Sequence, residues 1–294
     1  MGGGTDLLVS LDEGFVRAAA VVDLRGIGSA GAIETLGDGS VRIGGAARIH
    51  EIAAHQDIRT RFPCLAEACV VVGTPALREM GTIGGNLCQR PRCWYLRRGI
   101  SCYKSGGNSC PAKEGENQYH AILDGGPCYI VHPSDPAVAL SALDAQVEIS
   151  GRSAPRLVPI SEFYLLPSER LDHETVLQPG EFVSAVVLPA AAAGGVQKYS
   201  KLMQRGAWDF ALVSCAAARR ENGDVRIVLG GVAPKPWRVP ESLEEDVAAG
   251  GLEPEFIATI AERALYDAQP LSENAYKVKL AETLIRRSIA ELLS

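Results

Sequence analysis

The spacing of hydrophobic positions changes period several times along the chain. VVDLRGI predicts a short strand running into a turn, and SVRIGGAARIHEIAAH alternates and then shifts to helical spacing, predicting a strand followed by a helix. CLAEACVVVGTPALREMGTIGGNL has apolar residues at helical spacing until its glycines break it. The stretch from Arg90 to Asp124 is polar, glycine-rich and without period. A loop of that length is usually functional or disordered. PSDPAVALSALDAQVEISG predicts a helix capped by Ser134 or Asp135, then a turn and a strand. LQPGEFVSAVVLPA predicts a turn and a strand, and AAAAGGVQ, near 190–197, marks a subdomain boundary. Beyond it KYSKLMQ and VRIVLGGVA read as strands with DFALVSCAAARREN between them, and EFIATIAERAL and SENAYKVKLAETLIRRSIAELL as amphipathic helices. Strands and helices do not alternate strictly, and there is no internal repeat. The fold class expected is α+β, with at least two subdomains.

Composition narrows the function. The 294 residues suffice for one large domain or two ordinary ones, and an apolar fraction of 47% can fill their cores. A net charge of −6 argues against a nucleic-acid or anionic-membrane binder, which shows a basic excess. No apolar run reaches membrane-spanning length. MGGGTDLLVSLDEG has no basic region followed by an apolar one, so it is not a signal peptide, and the expected location is cytoplasmic.

Of eight cysteines, five fall between Cys88 and Cys128, a cluster that points to metal or redox chemistry rather than to a secreted disulfide framework. Cys64, Cys69 and Cys215 stand in apolar surroundings and are expected to be buried structural thiols. Cys93, Cys102, Cys110 and Cys128 are spaced C-x8-C-x7-C-x17-C. Four thiolates hold either a 4Fe–4S cluster or a structural zinc, and this spacing does not choose between them or exclude free or disulfide-linked cysteines. Cys88 is a fifth candidate. Arg90, Arg92, Arg97 and Arg98 would offset the charge of thiolate-ligated iron, or are solvated.

Two glycine-dense turns with a hydroxyl residue, GGGTDLL at Gly2–Leu8 and GTIGGN at Gly81–Asn86, allow backbone N–H groups to approach an oxyanion. Thr5, Thr82 and Asn86 add side-chain donors, and a pair of such turns suits the two phosphates of a dinucleotide. Neither is a GxGxxG or P-loop motif, and either alone is an ordinary tight turn. Asp135 is a helix cap or a ligand for a ribityl or ribose hydroxyl. Lys201 is a solvated strand lysine or, buried near a flavin ring, a favourable charge for the reduced isoalloxazine. No catalytic triad or acid–base pair stands out, and His132 reads as structural.

GGGTDLL, VGTPALREMGTIGGNL, HPSDPAVALSALDAQVEI, KYSKLMQRGAWDFALVS and LGGVAPKPWR follow one another in an order that resembles the FAD-binding medium subunit of the molybdenum hydroxylases, the xanthine dehydrogenase family, over nearly the whole chain. The resemblance implies a two-subdomain FAD-binding fold over residues 1–190, with a cysteine-rich insertion at 88–128, and a smaller C-terminal α+β domain with an antiparallel sheet over 195–294. It implies that Gly2, Gly3, Gly4, Thr5 and Asp6, with Gly81, Thr82, Gly84, Gly85 and Asn86, bind the FAD pyrophosphate. Asp135 then contacts FAD, and Val183 and Lys201 lie near the flavin ring. The long interval between Asn86 and Asp135, with RCWY, SCYK and NSCPAKEGENQYHAIL, is most similar to the aldehyde oxidoreductase and 4-hydroxybenzoyl-CoA reductase branch. That match implies a 4Fe–4S cluster on Cys93, Cys102, Cys110 and Cys128, leaving Cys88 out.

The activity implied is electron transfer in a heteromeric oxidoreductase. The partners are a large subunit with the molybdenum cofactor and a small subunit with 2Fe–2S clusters, together with an external electron acceptor or donor. A stand-alone flavin oxidoreductase and a scaffold subunit with structural zinc are the rival expectations. Family members carry a strand–helix–strand segment ahead of the first glycine turn, whereas this sequence starts at the turn. A misassigned start, a truncation or a naturally short subunit would each account for that, and a truncated chain would bind FAD weakly. Export to the periplasm on a partner's signal is compatible with the same reading.

Overall fold

The computed structural model describes residues 1–14, 16–251 and 253–294. Strands β1 (Ile33–Thr35), β2 (Val41–Gly44), β3 (Gln146–Ser150), β4 (Arg156–Pro159) and β5 (Phe182–Leu188) form an antiparallel sheet in the order β1-β2-β5-β3-β4. The central β5, FVSAVVL, is the most apolar of them and has a ladder on each edge. Strands β6 (Val196–Leu202), β7 (Val213–Arg219), β8 (Val225–Gly230) and β9 (Trp237–Arg238) form a second antiparallel sheet in sequential order. The 190–197 segment carries the chain from one sheet to the other.

Side chains on a strand alternate faces, and β7 uses both. Ala216 joins the core under the first sheet, which includes Leu65, Leu140 and Val186. Its neighbours Cys215 and Ala217 join a second core with Leu284, Ile285 and Ile289 of the helix Tyr276–Leu293. The second sheet is thus covered on one face by the helices Pro63–Val70 and Asp135–Ala142 and on the other by the C-terminal helix. Small residues in VSCAAAR let helices approach both faces closely.

Most local expectations hold. The strand and helix of SVRIGGAARIHEIAAH are β2 and Ile49–Ala54. Ser134 is the cap of Asp135–Ala142, its Oγ accepting from Ala137 N at 3.1 Å. The Arg90–Asp124 stretch has only one short helix, Trp94–Arg97, and two 3-10 turns. VVDLRGI, however, forms no strand: residues 21–27 run as irregular chain and turns with Val22 exposed, and Leu24 N donates to Met1 O rather than to a sheet. DFALVSCAAARREN contains β7, hidden in the sequence because burial on both faces removes the alternation that marks a strand. Among the described residues no helix is long and apolar enough to cross a membrane.

Candidate functional site: a glycine-lined cleft beside a pocket of thiols

The two glycine turns face each other. A Cβ on Gly3 would lie 1.7 Å from Met80 O, and one on Gly2 would lie 2.2 Å from Thr82 Oγ1. Gly4 has φ +77°, open to glycine at no steric cost. Thr82 caps the helix Ile83–Leu87, its Oγ1 accepting from Gly85 N at 3.2 Å. Gly2, Gly3, Gly4, Thr5, Thr82, Gly84, Gly85 and Val183 line one cleft of about 400 Å3. Thr5, Gly81, Thr82, Gly85, Asn86 and Asp135 line a second, of about 300 Å3, on the other side of the same turns. The sequence reading missed Gly45 and Ala46, which also line the first cleft; a Cβ on Gly45 would lie 2.2 Å from Val183 O. The signal was the third glycine pair, in RIGGAAR, read only as the end of a strand.

Asp135 is held from behind. Tyr199 Oη donates to its Oδ1 at 2.7 Å and Lys201 Nζ to its Oδ2 at 2.8 Å. Tyr199 and Lys201 are two apart on β6 and share a face. Burial pushes the Asp135 carboxyl above its ordinary value, against the pull of Lys201 and Tyr199. Lys201 is buried, and its ammonium also donates to Val71 O at 3.2 Å, so its charge is taken up by Asp135 rather than offered to the cleft. Asn86 Oδ1 accepts from Ser134 Oγ at 2.5 Å, tying the second glycine turn to the cap of the Asp135 helix. A third cavity, of about 430 Å3, shares Asp135, Arg92 and Phe210 with the second. Over both lies the segment after β6, where the Phe210 ring meets the Arg92 guanidinium at 4.9 Å and Trp208 is 61% exposed.

The Asp6 carboxylate reaches into the cysteine loop. Its Oδ1 lies 2.9 Å from both Arg92 Nη1 and Arg97 Nη2, and its Oδ2 accepts from Arg90 N at 2.9 Å. The first glycine turn is thereby pinned to the start of the cysteine loop. Glu174 pins the same loop from another side, pairing with Arg90 at 2.7 Å and the buried Lys104 at 2.8 Å.

Cys93, Cys102, Cys110 and Cys128 all line one small pocket. All eight cysteines are free thiols. Cys110 is pulled down to about 6, first by a hydrogen bond from the Cys128 thiol and then by nearby backbone N–H groups, against its burial. The same hydrogen bond, with burial, pushes Cys128 up. Burial raises Cys93. Cys88 lies apart, beside the first cleft, and burial pushes it up to about 12. Cys64, Cys69 and Cys215 are buried in the cores, as expected, and are likewise raised. Cys93, His120 and Ile130 face both the thiol pocket and the 430 Å3 cavity, so one layer of side chains separates them.

A two-sheet α+β chain with three glycine turns around a cleft, and a thiol pocket walled off from a neighbouring cavity by one layer of side chains, fits a flavoprotein component of an oxidoreductase. Residues 1–191 match the family described as the FAD binding domain in molybdopterin dehydrogenase, and residues 198–292 match the CO dehydrogenase flavoprotein C-terminal domain. The chain belongs to the FAD-binding subunits of the molybdenum hydroxylase, or xanthine dehydrogenase, family. It is similar to the aldehyde oxidoreductase FAD-binding subunit PaoB of Escherichia coli, at 35% identity over 98% of this chain and 89% of that one. It is also similar to the carbon monoxide dehydrogenase medium chain of Hydrogenophaga pseudoflava, at 24% identity over 98% of this chain and 87% of that one. Among solved structures, carbon monoxide dehydrogenase from Hydrogenophaga pseudoflava superposes with a TM-score of 0.75 at 23% identity, over 99% of this chain and 88% of that one. Quinoline 2-oxidoreductase from Pseudomonas putida gives 0.74 at 21%, over 100% and 88%. These likenesses support the fold.

Proposed function

We propose that this chain is the electron-transfer subunit of a heteromeric molybdenum hydroxylase, binding FAD in the glycine-lined cleft and a 4Fe–4S cluster on Cys93, Cys102, Cys110 and Cys128. Its partners would be a molybdenum-cofactor large subunit and a 2Fe–2S small subunit, with an external acceptor or donor at the flavin. The observation that carries the reading is the convergence of the four cysteines of one loop on one pocket that shares a wall with the cavity next to the flavin cleft.

The fit of the flavin cofactor rests on the turns: a Cβ at Gly2, Gly3 or Gly45 would collide with the opposite turn or with β5. Backbone N–H groups there would meet the pyrophosphate, Thr5, Thr82 and Asn86 would add donors, and Val183 would pack against the dinucleotide. Asp135, fixed by Tyr199 and Lys201, would accept from a hydroxyl of the cofactor. FAD supplies the exchange between one-electron and two-electron carriers, and the protein's part is to bind, orient and tune.

The fit of the cluster rests on the donors. A ligating sulfur has lost its proton, and Cys110 is already held toward the thiolate form. Among the described residues no three His, Cys, Asp or Glu side chains are set to close on one metal ion. A tetrahedral zinc would draw four sulfurs to within about 4 Å of one another. The space among the four cysteines is about 10 Å3, so the loop must part to admit a cluster. With only a four-residue helix and two 3-10 turns between the cysteines, that opening breaks no strand and no long helix. Free thiols throughout suit assembly in a reducing cytoplasm.

The test is anaerobic purification with flavin, iron, acid-labile sulfide and zinc counted on one sample. The expected result is about one FAD and about four irons per chain. FAD without iron would remove the cysteine assignment and keep the flavin site. Zinc without flavin would replace the whole reading with a scaffold.

A further inference from the structure

His120 belongs to the QYHAIL segment and was not among the residues expected to bind anything. Its Nε2 lies 3.3 Å from Cys93 Sγ, and the residue is 4% exposed. Its other ring nitrogen, Nδ1, is buried and has no hydrogen-bond partner among the described residues. The ring is wedged against Trp94, whose plane is nearly perpendicular at a centroid distance of 5.4 Å, and Tyr95, at 6.3 Å.

The backbone is fixed as firmly. His120 N donates to Asn117 O at 2.9 Å, and His120 O accepts from Asn274 Nδ2 at 3.1 Å and Lys277 Nζ at 3.0 Å. Asn117 is itself fully buried and bonded to Ser272 and Glu273. The C-terminal region therefore grips the loop next to one thiol and points one imidazole nitrogen at it.

We infer that His120 is a positioning residue that donates an Nε2–H hydrogen bond to the Cys93 sulfur and thereby raises the reduction potential of the cluster held there. The inference rests on the 4Fe–4S reading above. An iron-bound thiolate carries no proton, so it can only accept, and the hydrogen must come from the imidazole. A donor at sulfur stabilises the more negative, reduced state, and hydrogen bonds to cluster sulfurs are a recognised control of potential. Because Cys93 and His120 stand in the wall toward the flavin-side cavity, the ligand so tuned is the one nearest that cavity.

The test is a potentiometric titration of the purified holoprotein, followed by electron paramagnetic resonance, for the wild type, His120→Leu, His120→Phe and His120→Gln. Iron and sulfide are counted on every sample. Glutamine retains an N–H near the position of Nε2, whereas leucine and phenylalanine fill the space without a donor. The apolar variants are expected to retain four irons and to be harder to reduce by about tenfold in the equilibrium constant, about 59 mV for one electron. His120→Gln should return most of that shift. Equal potentials in all four proteins would overturn the inference while leaving the cluster in place. Loss of iron from both apolar variants, but not from His120→Gln, would also overturn it, making the bond a requirement for holding the cluster rather than a control of its potential. A wild type without iron would instead defeat the reading on which it stands.

Discussion

The glycine cleft and the cysteine pocket are built on opposite plans. The cleft is backbone: Gly2, Gly3 and Gly45 are packed so closely that a methyl group has no room. Its shape comes from sheet and turn geometry, and its donors are main-chain groups. The cysteine pocket is side chain, carried on a loop with little regular structure. It is held by polar struts reaching in from Asp6, Glu174 and the 272–277 region. A site made of backbone is ready once the sheets form. A site on struts depends on every distant anchor.

The sharpest way to separate the two is to cut the farthest strut. Lys277 is fully buried, and its Nζ donates to Tyr119 O, His120 O and Gly231 O at 2.8, 3.0 and 2.8 Å. Burial pulls its pKa down to about 7, yet three carbonyl acceptors call for all three N–H groups of the ammonium form. Lys277→Met should strand the Tyr119 and Gly231 carbonyls, leave His120 O to Asn274 alone, and cost about 3 kcal/mol, read by urea unfolding. Iron should be lost while the flavin is kept, since Lys277 touches no part of the glycine turns. Equal retention of both cofactors would show the pocket to be self-supporting.

The reverse cut is Gly3→Ala. The added carbon would sit 1.7 Å from Met80 O, so one turn must move. FAD affinity should fall about 100-fold, near 2.7 kcal/mol, as measured by flavin release and rebinding. Four irons per chain should remain. An unchanged affinity would mean that FAD does not use this cradle.

The same contrast governs how much could be read in advance. The glycine turns were legible because backbone constraints leave glycine in the sequence, although the pair at Gly44 and Gly45 was absorbed into a strand. The four cysteines were legible by type and by family resemblance, not by spacing. The struts were not legible at all. Nothing in the chain marks Asp6 as the partner of Arg92 and Arg97, or Lys277 as the clamp of a loop more than 150 residues away. Such pairs are fixed by tertiary packing, which also hid β7 and left residues 21–27 without a strand.

A smaller effect comes from His132, which lies between the two regions and packs against the Tyr164 ring at 4.3 Å. Burial pulls its pKa from 6.5 to about 4. The unfolded chain therefore binds a proton more readily, so the contribution to stability is complete above pH 6.5 and falls as pH drops toward 4. Relative to His132→Phe, the wild type should lose about 2 kcal/mol between pH 7 and pH 5, at about 1.4 kcal/mol per pH unit. Parallel unfolding curves for the two proteins across that range would show that the folded protein does not hold His132 neutral.

Asp6 tests whether the two regions are coupled at all, because its side chain joins the first glycine turn to the cysteine loop. Asparagine has nearly the same size and can still accept from Arg90 N through one oxygen, but it removes the charge facing Arg92 and Arg97. Both arginines are less than one-third exposed, so the pairs are only partly screened, and Asp6→Asn is expected to cost about 1 kcal/mol. The direction of cofactor loss matters more than the size. With Asp6 acting as a strut, iron content and FAD affinity should fall together, because the loop loses an anchor and the turn loses the partner that orients it. With Asp6 acting on the pyrophosphate side, removing a negative charge would strengthen FAD binding and leave iron untouched. The two outcomes have opposite signs in FAD affinity, so one titration decides between them.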